Sequence, residues 1–422
     1  MWLVFLDLHL PKYPNSPSHE QPPETSHLRR LGGFLPFAGR DYAERRNHVP
    51  GTVSGLSPYV RHRLITEEEI ACAVLQRHPY EAAEKFLQEV CWRTYWKGWL
   101  EMRPEIWLHY LEDLEALRER LETETDFLGQ VQAAESGETG MECLDDWVKE
   151  LRETGYLHNH VRMWFASIWI HTLRLPWQLG ADFFLRHLLD GDAASNTLSW
   201  RWVCGLQTPG KVYVASAENI ERYTEGRYAP FGLPVTETPP IPTDHSIPKP
   251  QLLPARETHV PGEKTVLLVT EEDLSPESWC VPRADVSGVV LIDTADATAG
   301  ISSNVTTFKR EALESTKERL VASGYSSVTL LSGTMGTMET QWENMSRLLQ
   351  GHHVGGTSTV SMMGATVGPT RQIMDPMLSL LKQQGVAVRR LRRDWDDALW
   401  PHATHGFFRF KEQIPIVLRQ FA

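Results

Sequence analysis

The sequence lacks long apolar runs and an excess of positive charge. No hydrophobic segment reaches the ~20 residues that a transmembrane helix needs. The apolar opening Met1–Leu10 lacks the basic leader and the cleavage site of a signal peptide. Lys and Arg number 42 against 54 Asp and Glu, so the formal net charge is −12. This balance argues against a protein held on nucleic acid by bulk positive charge, but it leaves room for a local basic rim.

Cysteine is scarce, and its positions are scattered. The five cysteines show no pairing typical of a metal site. The sequence therefore predicts an intracellular, reducing compartment and no metal centre, without separating the cytoplasm from the nucleus or an organelle. A chain of 422 residues is too long for one ordinary core, so we expect at least two domains.

Prolines mark the clearest boundary in the chain. Residues 230–261 hold nine prolines and no hydrophobic periodicity, which predicts an extended linker over 230–262. Residues 1–40 are predicted to be an N-terminal extension, and residues 41–229 a mainly α-helical domain. After the linker, residues 263–422 are predicted to form a smaller α/β domain with a mostly parallel sheet.

The prediction for the C-terminal domain depends on short apolar runs that alternate with helical patterns. The expected strands are Thr265–Thr270, Val286–Asp293, Ser327–Ser332, Thr359–Gly364 and Val386–Leu391. The expected helices are Phe308–Ser323, which ends at Gly324, and a segment near Met374–Gln384. The Gly-rich stretch Gly351–Gly368 lacks a dinucleotide-binding fingerprint.

Tryptophan is the residue that the sequence has in unusual number. Of fifteen tryptophans, ten lie between Trp92 and Trp202. Two interpretations stay open: a large helical core filled with indoles, or a site for stacking and electron transfer.

Two segments early in the helical domain combine groups that could hold a ligand. The turn Val53–Ser57 precedes Pro58, and its backbone N–H groups and serine hydroxyls would suit a pyrophosphate, although such turns also simply cap helices. On a helix, Glu89, Trp92, Arg93 and Trp96 share one face. A solvated Glu–Arg pair beside core tryptophans is the alternative.

Two later segments add polar groups. In Gly155–Met163, the residues Asn159, Arg162 and Met163 share a helical face. In Leu188–Trp202, two aspartates flank Gly191. They could bind a cation, ribose hydroxyls or flavin N–H groups, and the segment lacks the further oxygen ligands of an EF-hand loop.

Together these segments resemble the photolyase/cryptochrome family over Tyr42–Lys211. The runs WRTYW, GYLHNHVRM, LLDGDAASN and SWRW stand in the order and at the spacing of that family. The family binds FAD in a folded form, and its repair branch splits cyclobutane pyrimidine dimers with light: excited reduced FAD donates an electron, the ring opens and the electron returns. The antenna pigment and any protein partner are not identified by the resemblance.

The resemblance implies a deoxyribodipyrimidine photo-lyase with FAD as cofactor and UV-damaged DNA as partner. A cryptochrome-like blue-light photosensor without repair activity is the alternative, and a flavoprotein without photochemistry is a third possibility. Retained lesion-binding residues favour repair. The acidic charge and an incomplete tryptophan chain favour a sensor.

The resemblance also implies roles for individual residues. The implied cofactor-binding set is Tyr42, Val53, Ser54, Gly55, Leu56, Ser57, Arg93, Asn159, Arg162, Asp190, Gly191, Asp192 and Asn196. Val53 stands where the family usually has Thr, so one hydroxyl contact is missing. Asn196 corresponds to the residue that faces flavin N5, and asparagine is the photolyase choice there.

The implied lesion-binding set is Glu89, Trp92, Trp96, Asn159, Met163 and Trp202. The implied catalytic set is Glu89, Asn196, Trp200 and Trp177, in which the two tryptophans feed electrons to the flavin. A third, surface tryptophan is missing near Glu124, and the candidates to substitute for it are Trp147, Trp164 and Trp169. A basic rim for DNA is expected from Arg61, His62, Arg63, Lys97 and Arg103, for which ordinary solvated surface is the alternative.

The domain order differs from the family pattern. Photolyases place their α/β antenna domain first, whereas here an α/β domain follows the helical one. Its tail, Asp394–Phe410, resembles the end of the antenna domain, which indicates a swapped order. An unrelated α/β module is the alternative.

Overall fold

The computed structural model describes residues 23–208, 211–233, 246–331 and 359–421. A helical part comes first, and a parallel β-sheet with helices follows it, so the predicted fold class is confirmed. Residues 351–358 of the Gly-rich stretch and the apolar opening of the chain lie outside the described residues. Among the described helices, none is long and apolar enough to span a bilayer.

The helical part is built around one long central helix. Its helices are α1 (Pro23–Phe34), α2 (Arg40–Arg45), α3 (Ser57–Arg61), α4 (Glu67–Leu75), α5 (Tyr80–Glu101), α6 (Glu105–Thr123), α7 (Thr125–Ser136), α8 (Glu142–Thr154), α9 (Asn159–Ser167), α10 (Trp177–His187), α11 (Ala193–Val203) and α12 (Ala217–Tyr223). The central helix, α5, packs against α2, α4 and α11. A five-residue π-helical turn, Ile168–Thr172, follows α9 directly.

Local sequence signals explain where several of these helices begin and end. The run Thr66–Glu69 has the sequence signature of a capping box, and the structure contains that box at the start of α4. Thr66 Oγ1 accepts from Glu69 N at 3.2 Å, and Glu69 Oε2 accepts from Thr66 N at 2.8 Å. The helix α8 ends at Gly155, which has φ +66° and so takes a left-handed conformation that glycine adopts without strain.

Helix α1 lies in the segment that the sequence predicts to be an extension, yet it packs into the helical core. Leu31 and Phe34 are buried. The Phe34 ring meets the ring of Phe86 at 4.7 Å and that of Tyr42 at 5.9 Å. The first helix therefore shares a core with α2 and α5.

The second part contains a five-stranded parallel sheet in the order β3-β2-β1-β4-β5. Its strands are β1 (Thr265–Thr270), β2 (Val286–Ile292), β3 (Val328–Leu331), β4 (Thr359–Met363) and β5 (Ala387–Leu391). Its described helices are α13 (Ser303–Ala322), α14 (Pro369–Gln383), α15 (Asp394–Leu399), α16 (Phe407–Lys411) and α17 (Ile414–Phe421). Each strand lies where a strand was predicted, and α13 starts five residues before its predicted first residue.

The two faces of the sheet pack differently. On one face, alternate residues of β1 and β2 join α13 in the core shared with the helical part. On the other face, the intervening residues pack against Met374 and Leu378 of α14. This alternation is the period-2 pattern of a strand buried on both sides. The described linker residues 246–264 contain no helix or strand.

Acidic residues at the end of β1 join the two parts of the molecule. Arg61 Nη2 lies 2.6 Å from Glu272 Oε1, and Lys97 Nζ lies 3.5 Å from Glu272 Oε2. Arg63 donates to both carboxylate oxygens of Asp396 at 2.7 Å and to Asp273 at 3.3 Å. Arg61, Arg63 and Lys97 are therefore buried against the sheet rather than exposed.

The predicted basic rim for DNA is wrong. All five of its members are at most 5% exposed: Arg61, His62, Arg63, Lys97 and Arg103. Carbonyl oxygens and carboxylates of the C-terminal part are hydrogen-bond or ion-pair partners of these side chains. His62 Nδ1, for example, lies 2.7 Å from Glu271 O, and Arg103 donates to Thr404 O at 2.7 Å. A charged side chain is stable at such depth because it is paired.

Candidate functional site

Helices α5, α9 and α11 carry most of the predicted site residues, and they meet in the middle of the helical part. Helix α11 packs against both α5 and α9. The residues that were expected to touch cofactor or lesion therefore converge from segments about 70 to 110 positions apart in the sequence, as the spacing of WRTYW and LLDGDAASN shows.

The six residues predicted to bind the lesion all reach solvent. Asn159 is exposed, and the other five are partly exposed: Glu89, Trp92, Trp96, Met163 and Trp202. Among the tryptophans in the described part of the chain, only Trp92, Trp96 and Trp202 are partly exposed, and the rest are buried. The tryptophans assigned to the lesion thus differ in solvent exposure from those that fill the core.

Arg46 is a site residue that the sequence analysis missed. Its Nη1 donates to Glu89 Oε1 in an ion pair whose two side chains are about one-third exposed, at 29% and 33%. Burial raises the pKa of Glu89, and the charges of Arg46 and Lys85 oppose that rise. Arg46 is therefore the direct partner of the Glu89 carboxyl group.

The phenol of Tyr42 lies beside this ion pair. It is buried, and burial together with the charge of Glu89 raises its pKa, while Arg46 opposes the rise through its charge and a hydrogen bond. The Tyr156 phenol also acts on Tyr42. Tyr42 therefore links the lesion-binding residues to the polar groups around α9.

Arg162 and Asp190 form the ion pair that the resemblance implied. Arg162 Nη1 and Nη2 donate to the two carboxylate oxygens at 3.0 and 2.9 Å. The guanidinium lies 5.5 Å from the Tyr156 ring centre. Arg162 Nε donates to Leu157 O at 2.9 Å, which fixes the side chain on α9. A bidentate pair of this kind holds both residues in one orientation.

Asp192 begins α11 and gathers three cations. Its Oδ1 accepts from Ser195 N at 2.8 Å, as an N-cap does. Its Oδ2 lies 3.4 Å from Lys97 Nζ, 3.6 Å from Arg93 Nη2 and 3.9 Å from Arg61 Nε. Burial acts to raise the pKa of Asp192, but these three cations hold it well below its usual range.

Some buried polar groups around α11 lack a partner in the described part of the chain. Ser195 Oγ and Arg61 Nη1 are buried and have no hydrogen-bond partner within the described residues. Such atoms are costly unless a polar group satisfies them, and donors of these types suit phosphate and ribose oxygens. Asn196 is buried, and its Nδ2 donates to Ala181 O at 2.7 Å, which fixes its amide. Gly191 O accepts from Arg61 Nε at 2.7 Å.

The turn Val53–Ser57 bends at Gly55. Gly55 has φ +62°, and Leu56 N donates to Ser54 Oγ at 3.3 Å. A Cβ placed on Gly55 would lie 3.0 Å from Arg30 Nη1. Arg30 also acts on the pKa of Tyr156, so this cation lies between the turn and the Arg162 side of the site. The sequence analysis missed Arg30, which lies in the segment predicted to be an extension.

The two predicted electron-feeding tryptophans are both buried. Trp200 stands edge-on to Phe184 at 5.1 Å and to Trp169 at 6.3 Å. Trp177 meets Tyr110 at 5.7 Å, and Tyr110 meets Trp107 at 5.1 Å. Glu124 lies between α6 and α7, and its side chain is half exposed. This is the place where the sequence has no surface tryptophan.

The three suggested substitutes fall into two groups. Trp147 and Trp164 stack on each other at 5.8 Å, and Trp164 stacks on His160 at 4.3 Å. Within the described residues, Trp169 is the one of these three tryptophans whose ring contacts the ring of Trp200. All three are buried.

Comparisons with known proteins find relatives of the helical part. A family model described as the FAD binding domain of DNA photolyase matches residues 86–227. The deoxyribodipyrimidine photo-lyase of Escherichia coli (strain K12) is 26% identical over 219 residues, which cover 49% of this chain and 44% of that protein. A deoxyribodipyrimidine photo-lyase of Thermus thermophilus is 32% identical over 203 residues, which cover 46% of this chain and 45% of that protein.

A solved structure is also similar. The crystal structure of a bacterial class III photolyase from Agrobacterium tumefaciens has 26% identity and a TM-score of 0.39, covering 47% of this chain and 42% of that chain. The chain thus spans less than half the length of the relatives that it matches. The family match begins at Phe86 in α5 and ends after α12.

Proposed function

We propose that this protein uses light to reopen cyclobutane pyrimidine dimers in DNA, because residues 86–227 match the FAD binding domain of DNA photolyase. The observation that carries the proposal is the separation of the tryptophans. Trp92, Trp96 and Trp202 reach solvent, and they are the three tryptophans of the implied lesion-binding set. Indole faces that reach solvent are what a flipped base needs for stacking.

FAD is the cofactor, because the match over residues 86–227 is to an FAD-binding domain. We propose that Arg93, Asp192 and the turn Val53–Ser57 hold its phosphates and ribose, with Arg30 as a further cation. We propose that the Arg162–Asp190 pair and Asn196 border its flavin. Bound and reduced, FAD supplies the light-driven electron that opens the cyclobutane ring.

On the lesion side, each proposed contact has a physical task. Glu89 would accept or donate a hydrogen bond to the dimer, and burial raises the pKa of its carboxyl group. Trp92 and Trp202 would stack on the flipped bases, and Asn159 and Met163 would close the remaining sides. For a lesion to form a hydrogen bond with Glu89, the Arg46 guanidinium has to move away from the carboxyl group or share that group with the lesion.

The cations around Glu89 replace the wrong rim as candidates for DNA phosphate contacts. Arg45 and Lys85 are exposed, and Arg46 is partly exposed. Lys85 is close enough to Glu89 to lower its pKa. Arg46 and Lys85 beside Glu89 would attract a phosphate backbone although the whole chain carries −12.

We also propose that residues 263–421 are the counterpart of the family's antenna domain in swapped order. The support is the parallel sheet and the close packing of its tail on α5, where Trp395 Nε1 donates to Thr94 Oγ1 at 2.9 Å. The absorption spectrum of the purified protein tests this. A chromophore band beyond those of flavin would support an antenna role.

A cryptochrome-like photosensor is the second candidate, and the buried ends of the tryptophan route favour it. Illumination of reduced, FAD-containing protein with a dimer-containing oligonucleotide distinguishes the two. Repair predicts intact thymines in the light and none in the dark, as measured by chromatography. A sensor predicts flavin photochemistry with no recovery of thymines and no preference for damaged DNA.

A further inference from the structure

The aromatic ring of Phe407 lies flat against one of the proposed lesion walls. The ring centres of Trp92 and Phe407 are 3.5 Å apart, and the planes differ by 9°. Phe407 belongs to α16, far from Trp92 in the sequence and beyond the last strand of the sheet. The contact therefore joins the C-terminal segment to the surface on which a flipped base would stack.

The burial of the two rings shows which side of the indole Phe407 occupies. Phe407 is 8% exposed, whereas Trp92 stays partly exposed. Phe407 also packs on two buried rings, Tyr95 at 5.4 Å and Phe410 at 5.8 Å. A ring that covered the solvent side of Trp92 would itself be the exposed one. Phe407 thus lies on the buried side of the indole, and part of the indole stays exposed to solvent.

The segment that carries Phe407 is fixed to α5 on the same side. Tyr95 Oη donates to His405 O at 2.8 Å. A Cβ on Gly98 would come within 2.8 Å of the Trp400 ring, so the tail approaches α5 as closely as only glycine allows. Through these contacts, the position of Phe407 follows the position of α5.

We propose that Phe407 is a positioning residue for lesion binding: it holds the Trp92 indole at the angle that stacks on a flipped dimer. This inference builds on the proposed function and adds the C-terminal segment to the repair site. Without a flat support, the indole gains rotational freedom that it must lose again when a lesion binds.

The test compares Phe407→Ala with Phe408→Ala in the full-length protein, by fluorescence anisotropy in the dark with dimer-containing and undamaged oligonucleotides. Phe408 is 80% exposed and neighbours Phe407, so it is the matched control. Phe407→Ala should bind the dimer about 2- to 10-fold more weakly, as expected for loss of one aromatic pair, with unchanged affinity for undamaged DNA. Phe408→Ala should bind both oligonucleotides as the wild type does.

Two further variants keep the test decisive if Phe407→Ala unfolds. Phe407→Leu keeps most of the apolar volume but removes the flat ring, so it should also weaken dimer binding. Phe407→Tyr keeps the aromatic ring, so it should bind the dimer as tightly as the wild type does. The flavin spectrum should be unchanged in both variants, because Phe407 contacts the lesion wall and not the cofactor residues.

A double-mutant cycle identifies the residue through which Phe407 acts. In the Trp92→Ala background, Phe407→Ala should have no further effect on dimer binding, because Phe407 works through Trp92. Equal losses in both backgrounds would overturn the proposal. So would tighter dimer binding by Phe407→Ala, which would mean that the ring occupies the lesion face. If Trp92→Ala itself binds damaged DNA normally, the proposed lesion site fails and this inference fails with it.

Discussion

Arg162 and Asp190 meet through two parallel hydrogen bonds of 3.0 and 2.9 Å, which tie α9 to the loop before α11. The Asp190 side chain is only 6% exposed. We expect Asp190→Ala to leave the guanidinium unpaired and to weaken FAD binding by roughly 10- to 100-fold, the range for lost hydrogen bonds to a charged group. Titration of the purified protein with FAD, followed by flavin fluorescence, measures this.

Glu124 provides a matched control for that change. It forms an equally bidentate pair with Arg120, at 2.9 Å for both bonds, but its side chain is 50% exposed. Glu124→Ala should leave FAD binding and stability nearly unchanged, because exposed pairs contribute little. If Asp190→Ala leaves FAD binding as unchanged as Glu124→Ala does, Asp190 is not part of a cofactor site.

The electron-feeding prediction concerns Trp200. Trp200→Phe should abolish photoreduction of oxidised flavin, because a phenyl ring is not oxidised as an indole is, and it should spare repair by chemically reduced protein. Photoreduction of the wild type should be slow and dependent on added reductant, because Trp177 is buried and Glu124 stands where a surface indole would be. Flash absorption spectroscopy measures both rates.

Trp169→Phe tests the competing route. Trp169 lies 6.3 Å from Trp200 and is fully buried. If Trp200→Phe still photoreduces at the wild-type rate while Trp169→Phe does not, electrons reach the flavin through Trp169, and the assignment of Trp200 is wrong.

The stability of the fold should depend on pH through His158. Burial, followed by the charges of His160 and Arg162, lowers its pKa to about 4. The pKa of His158 is lower in the folded protein than in the unfolded chain. The stabilisation from the neutral imidazole is therefore complete above the unfolded pKa, and it is lost as the pH falls towards the folded pKa. We expect a loss on the order of 2 kcal/mol in the free energy of unfolding between about pH 6.5 and pH 5 from this residue.

A substitution separates this titration from helix capping. His158 Nδ1 accepts from His160 N at 3.1 Å, and Asn can cap a helix in the same way. His158→Asn should therefore show a smaller loss of stability on acidification, measured by urea unfolding. A pH dependence identical to that of the wild type would place the titration elsewhere.

The junction between the helical part and the sheet should depend on Asp396. It accepts two hydrogen bonds of 2.7 Å from Arg63, which has an unusual φ of 49°. Asp396→Ala should lower the free energy of unfolding by about 3 kcal/mol, because it leaves a buried charge with fewer partners. Asp394→Ala, at a side chain that is 55% exposed, should change it by less than about 1 kcal/mol. Similar losses in both variants would contradict the assigned role.

Features that depend on neighbouring residues were predictable from the sequence. The capping box at Thr66 and the strands of the sheet follow from local patterns, and the structure has them where they were expected. The shared face of Glu89, Trp92 and Trp96 follows from the helical repeat, and all three are partly exposed. Residues that the family resemblance marked, such as Asp190 and Arg162, also meet.

Features that depend on distant residues were not predictable in this way. Arg61 and Arg63 have the composition of a surface rim, but their partners Glu272 and Asp273 lie more than 200 positions away. Arg46 and Phe407 carry no motif, and only the packed structure brings them to Glu89 and Trp92. The burial of a charge is decided by such pairings, which a single sequence does not display.

The most direct measurement of the central claim is the initial rate of thymine recovery under light by chemically reduced protein. We compare the wild type with Glu89→Gln, and use Glu81→Gln, an exposed position in the first turn of the same helix, as the control. The account predicts recovery by the wild type and by Glu81→Gln. It predicts a loss of about 1–3 kcal/mol in transition-state stabilisation for Glu89→Gln, with an unchanged flavin spectrum. Recovery that does not depend on Glu89, or no recovery by FAD-containing wild type, would contradict it.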